Sequence, residues 1–131
     1  MIVVDTHVIV WNALRPEKIS KKAKQAIALH NERGGLVFCE ISLWEIALLM
    51  KKQRIVVAAG YREFIQLIMA AHNYKLYGIT PEIAEMATTL PWDINNDPAD
   101  RIIAATAVVH QLELVTADHN LRASQHLQTL W

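Results

Sequence analysis

Short β-branched apolar runs, each closed by a polar residue and followed by a longer helical stretch, set the strongest limit on what this chain can fold into. Ile2-Val3-Val4 stops at Asp5, and Leu36-Val37-Phe38-Cys39 stops at Glu40. Runs this short and apolar read as strands buried on both faces. Leu76 to Ile79 reads as a third strand, Leu112 to Thr116 as a fourth and Leu127 to Trp131 as a fifth. Between them, Ser20 caps a helix reaching about Arg33 and ended by Gly34-Gly35. Further helices are expected from Ser42 to about Gln53, Tyr61 to His72, Pro81 to about Thr89 and Pro98 to about Gln111. Strands separated by helices imply crossover connections and a mostly parallel sheet of four or five strands covered on both faces, an α/β architecture. The 131 residues suit one domain, spanning 1–131, and show no repeat or linker.

Parallel sheets of this kind present their ligand site at the carboxyl ends of the strands. Asp5 follows the first strand directly, and Asp118 follows the fourth by two residues. Glu45 lies early in the helix after the second strand. Asp100 opens the helix leading into the fourth, with Asp97 just before Pro98. Each acid also has a plain structural reading. Ser42-Leu43-Trp44-Glu45 matches a capping box. Asp97-Pro98 matches an N-cap followed by proline at the first helical position. Asp5 and Asp118 suit N-caps of helices beginning just after them, and Asp100 suits the positive end of a helix dipole. Capping, however, asks only for an oxygen acceptor, which Ser, Thr or Asn supplies equally well. Ionisable carboxylates gathered at one edge oppose folding unless a cation neutralises them. Carboxylate oxygens are the ligands Mg²⁺ and Mn²⁺ prefer, and one or two such ions would promote in-line attack of water on phosphorus. Phosphodiester hydrolysis is the implied reaction.

Four blocks of sequence carry a family resemblance: Asp5-Thr6-His7-Val8-Ile9-Val10-Trp11, Ser42-Leu43-Trp44-Glu45-Ile46-Ala47, Asp97 to Ala107, and Leu114-Val115-Thr116-Ala117-Asp118. In this order and spacing they resemble the PIN-domain ribonucleases, specifically the VapC-like toxins of type II toxin–antitoxin pairs. The resemblance covers essentially the whole chain. It implies a PIN-like three-layer α/β/α sandwich and a metal-dependent endoribonuclease. Asp5, Glu45, Asp100 and Asp118 take the places of the family's catalytic, metal-binding acids, with Mg²⁺ or Mn²⁺ as cofactor. Thr6, Ser42 and Thr116 match polar positions lining the same site, and Asp97 stands beside them. Arg101, next to Asp100, is expected to pair with an acid and orient it. The resemblance further implies an RNA substrate, a homodimer, and a cognate antitoxin that wraps the toxin and inserts a basic side chain among the acids. The chain departs from the family's common pattern at Ala99, where an aromatic residue or leucine is frequent, and near Asn95, where a histidine is frequent.

The remaining features set limits. No apolar stretch is long enough to span a membrane, and the N-terminus lacks the basic flank of a signal peptide. The single cysteine, Cys39, excludes an intrachain disulfide and suits a reducing cytoplasm. Six histidines show no metal-ligand spacing, and the four tryptophans read as core or interface anchors. His7 and His119 each stand close behind a candidate acid. Thirteen bases balance thirteen acids, a neutrality that at first argues against nucleic acid. Setting aside Asp5, Glu45, Asp97, Asp100 and Asp118 leaves eight acids against thirteen bases, a surplus of five. Much of that surplus falls in two stretches, Arg15 to Lys24 and Lys51 to Arg54. A phosphatase of the haloacid-dehalogenase type needs a second acid two residues after the first, where His7 stands. A receiver domain needs an aspartate ending its third strand, where Ile79-Thr80 stands. The alternative is a catalytically inactive PIN-like binding module whose acids serve as caps or dock a partner.

Overall fold

A computed structural model describes residues 1–92 and 94–131. Five strands form one sheet: β1 (Ile2–Val4), β2 (Leu36–Cys39), β3 (Tyr74–Tyr77), β4 (Leu114–Val115) and β5 (Thr129–Leu130). Their order is β3-β2-β1-β4-β5, and every pairing is parallel. The chain builds outward from β1 to β3, then returns to place β4 on the other side of β1. The order therefore reverses between β1 and β4, which is where such sheets open a crevice.

The helices are α1 (Thr6–Leu14), α2 (Lys21–Glu32), α3 (Glu40–Lys51), α4 (Tyr61–Ala71), α5 (Pro81–Thr89), α6 (Pro98–His110) and α7 (His119–Ala123), with a 3₁₀ turn at Pro16–Lys18. Alternation along the strands divides the core. Ile2, Val4, Leu36 and Phe38 face one side, under Val8, Ile9, Ile27, Ile46, Phe64 and Ile68 of α1 to α4. Val3, Val37 and Cys39 face the other, under Ile83 of α5, Ile103 and Ala104 of α6, and Leu121 of α7. The three-layer α/β/α sandwich with an all-parallel sheet agrees with the fold expected from the sequence. Gly34 and Gly35, at φ +87° and +109°, turn the chain from α2 into β2. A Cβ at Gly35 would sit 3.0 Å from the Asn73 carbonyl, so glycine is required twice over there.

Several boundaries differ from the sequence reading. The third strand begins at Tyr74, two residues early, because the Tyr74 ring meets Phe38 edge-on at 5.7 Å. Its apolar C-terminal continuation, Ile79, is 47% exposed. The fourth strand is only two residues long. The helix after β2 starts at Glu40 with Cys39 as its N-cap, so the Ser42–Glu45 capping box does not form. Ser42 and Glu45 are instead interior helix residues, and their side chains bond elsewhere.

Cys39 closes β2 facing α6 and is 1% exposed. Burial pushes its thiol up to about 12, with the nearby Asp5 and Glu45 charges adding to the rise. Native protein is therefore expected to resist iodoacetamide at about pH 8, where few thiols of raised pKa ionise. Labelling should appear only on unfolding, and fast labelling of folded protein would contradict this burial.

Candidate metal centre

The carboxyl edge of β1 and β4 gathers the acids. Asp5, 6% exposed, leaves β1 as the N-cap of α1. One of its oxygens accepts from the Thr6 amide at 2.7 Å, and the other accepts from the Thr116 hydroxyl at 2.6 Å. Thr116, fully buried just past β4, also accepts from the Asp118 amide at 3.0 Å. One hydroxyl thus ties both sides of the crevice together. Asp118 caps α7 by accepting from the Leu121 amide.

Glu45 is carried in from α3. Its Oε1 accepts from the Thr6 hydroxyl, which also lies 2.7 Å from the hydroxyl of Ser42, one turn back on the same helix face. Thr6 and Ser42 are both fully buried, so two hydroxyls fix the glutamate from beneath. Asp97 and Asp100 come from the start of α6. Asp97 is the N-cap, accepting from the Ala99 and Asp100 amides at 2.8 and 3.2 Å. It is more than a cap: Glu45, Asp97 and Asp100 each offer one oxygen, and these oxygens lie within 4.8 Å of one another. Asp5 and Asp118 flank this trio closely enough for both to raise the Asp100 pKa.

Desolvation is the main cause of every shift here. Burial raises Asp5, partly offset by the Thr116 hydrogen bond. It raises Glu45, partly offset by the bond from Thr6. Asp100 reaches about 7, through burial first and then through the charges of Asp5, Asp97, Glu45 and Asp118. Among the described residues the one ion pair between side chains is Arg15 with Glu17, so no lysine or arginine neutralises the acids. Oxygen-only donors, crowded and without a lysine or arginine partner among the described residues, fit a hard divalent cation.

Arg101 does not orient an acid. The residue is 4% exposed, and its guanidinium pairs with backbone carbonyls rather than with an acid among the described residues. It donates to the carbonyls of Ala87, Pro91 and Asn95 at 2.9, 3.1 and 3.0 Å, and also to the Leu90 carbonyl. Neighbouring residues on a helix project about 100° apart, which carries Arg101 off the face that Asp100 occupies. Its role is to pin the loop between α5 and α6.

That loop supplies a residue that was not among the sequence candidates. The Asn95 amide nitrogen donates to Asp100 Oδ2 at 3.1 Å and to Asp118 Oδ1 at 3.2 Å, while its oxygen accepts from Asn120. A neutral loop residue carries no periodicity or charge signal. The one hint lay in its place among the positions where the chain departs from the family pattern. Of the tryptophans, Trp11 and Trp131 meet at 6.0 Å beside the core, whereas Trp44 and Trp92 are 58% and 65% exposed. No helix among the described residues is long and apolar enough to cross a membrane.

The PIN domain family matches residues 2–126 of the chain. Ribonuclease VapC22 of Mycobacterium tuberculosis is 37% identical over 132 residues, covering 99% of this chain and 98% of the relative. Among solved structures, VapBC2 from Rickettsia felis, bound to a DNA fragment from their promoter, superposes with a TM-score of 0.72 at 15% identity. That match covers 98% of this chain and 97% of the other. A toxin–antitoxin complex from Klebsiella pneumoniae gives a TM-score of 0.65 at 20% identity, covering 97% and 95% of the two chains. At such identities these two structures speak to the fold.

Proposed function

This chain belongs to the PIN-domain family, and on that premise we propose that it is a divalent-metal-dependent endoribonuclease acting as the toxin of a toxin–antitoxin pair. The observation that carries the chemistry is the trio of Glu45, Asp97 and Asp100 oxygens within 4.8 Å, with no lysine or arginine paired to them among the described residues. We assign Asp5, Glu45, Asp100 and Asp118 as the catalytic and metal-holding acids and add Asp97, whose oxygen belongs to the tightest group. Mg²⁺ or Mn²⁺ bound there would polarise water and offset the charge building on the phosphoryl oxygens.

The chain's own residues prepare for that load. Thr6 and Ser42 hold Glu45, and Thr116 holds Asp5, so hydrogen bonds from the chain itself position the carboxylates. Fixed hydrogen bonds of this kind orient ligands and tune their basicity. Asn95 spaces Asp100 from Asp118 with an amide that cannot ionise and so adds no charge to the cluster. The Klebsiella neighbour is a complex with an antitoxin. We further propose a cognate antitoxin as this chain's partner and, as the family resemblance of its sequence implies, a homodimer working in the cytoplasm.

Purified protein, free of any partner, is expected to cleave RNA in Mg²⁺ or Mn²⁺, to stop in EDTA, and to recover when the ion is returned. Absence of cleavage, together with a melting temperature indifferent to divalent ions, would leave the acids as helix caps in an inactive binding module.

A further inference from the structure

The two basic stretches of the sequence lie some thirty residues apart, yet the fold brings one side of each to a single trough of about 610 Å³. His7 and Trp11 of α1 line it together with Arg15, Lys18, Leu49 and Arg54. The trough begins beside the acids, because His7 in its lining stands in the first turn of α1, the helix that Asp5 caps. From there the aromatic rings continue outward, His7 to Trp11 at 6.1 Å, with the Lys18 ammonium 5.6 Å from the Trp11 ring centre. Arg15, Lys18 and Arg54 are all exposed. Arg15 is shared with Glu17 at 2.7 Å, whereas Lys18 and Arg54 have no acidic partner among the described residues.

We propose that this trough seats the single-stranded RNA backbone beside the scissile bond, with Lys18 and Arg54 on phosphates and the His7–Trp11 face against a base. The inference rests on the ribonuclease reading and deepens it. A strand whose phosphate sits among the acids must leave past their rim, and the trough offers a cationic, aromatic-walled path that starts there. Cations tracking the backbone, combined with rings for stacking, are how sequence-tolerant single-strand sites are built. Lys18 and Arg54 thus give part of the positive surplus outside the acid cluster a location.

The test measures anisotropy of a fluorescent oligouridylate on the full chain, with Ca²⁺ neutralising the acids, across a salt series. Lys18→Glu combined with Arg54→Glu is expected to weaken binding about tenfold or more. It should also flatten the slope of log K against log salt by about 1.4, since each single-strand phosphate contact contributes about 0.7. Lys22→Glu combined with Lys75→Glu, on α2 and β3 and outside the trough, serves as the charge-matched control, and thermal melts verify that each variant is folded. A double variant that binds like the control overturns the trough as the RNA path and leaves it to a protein occupant, with the ribonuclease reading intact. Wild-type protein that binds no RNA at all removes both.

Discussion

Asp100→Asn is expected to lower RNA cleavage by more than about a hundredfold while making the metal-free protein more stable. The first effect follows from removing a charged oxygen from the trio, since losing even an outer hydrogen-bond partner of a metal ligand costs about 10–100-fold. The second follows from the electrostatics. Asp100 has a pKa of about 7 in the folded protein against an ordinary 3.8. Between those values the folded chain keeps a proton that the unfolded chain has released. Stability of the metal-free protein therefore falls as pH rises from about 4 to about 7, and levels off above. Asparagine carries no charge to desolvate, and its oxygen still accepts from Asn95. Melting in EDTA should show variant and wild type converging near pH 4 and separating by about pH 8, with the variant higher. Added Mg²⁺ should raise wild type and leave the variant nearly unmoved. A variant that is less stable at both pH values, or that cleaves at the wild-type rate, would contradict this role.

Arg101→Met is the second large effect, and it should appear in stability first. Methionine fills much of the arginine's volume but offers nothing to the carbonyls of Ala87, Leu90, Pro91 and Asn95. Hydrogen bonds to a charged group contribute about 1.5–3 kcal/mol each, and buried acceptors left without a donor are costly. Because the four share one side chain and the loop can relax, the expected loss is about 3–5 kcal/mol rather than their sum. At roughly 3 °C per kcal/mol the midpoint should fall by about 10 °C or more. Trp92, whose ring lies 4.1 Å from the guanidinium carbon, also loses its support. Cleavage should fall well below the melting temperature too. The Asn95 carbonyl is an Arg101 acceptor, and the Asn95 amide is what spaces Asp100 from Asp118. Lysine at this position should recover only part of either loss, because a single ammonium cannot serve four divergent carbonyls. Urea titration reads the first effect, and a stability change under about 1 kcal/mol would show that Arg101 does not pin the loop.

These two residues mark where sequence reasoning reached and where it stopped. Asp5, Asp100 and Asp118 could be placed at one edge because parallel strands point their carboxyl ends the same way, whatever the details of packing. Glu45 was placed there as an early residue of the helix after β2, and it is its alternative reading, the capping box, that fails. The Ser-x-x-Glu spacing that signals a capping box also places two side chains on one face within a helix, and α3 begins two residues before Ser42. Both arrangements share a pattern, and only the start of the helix separates them. Arg101 was misassigned because adjacency in sequence stands for adjacency in space only where side chains project together. Asn95 was unreadable, as a neutral residue in a loop whose path is set by a distant arginine. The meeting of Lys18 with Arg54 depends on how α1 lies against α3, which no local pattern contains.

The central claim is that the acids direct water onto phosphorus, and the chemistry of the new RNA ends tests it most directly. Cleavage run in ¹⁸O-enriched water with Mg²⁺ should place one ¹⁸O in each newly formed terminal phosphate and yield no 2′,3′-cyclic phosphate. Cyclic phosphate ends free of label would mean that the RNA's own hydroxyl is the nucleophile, and ends that form equally well in EDTA would mean that the acids hold no ion for the reaction.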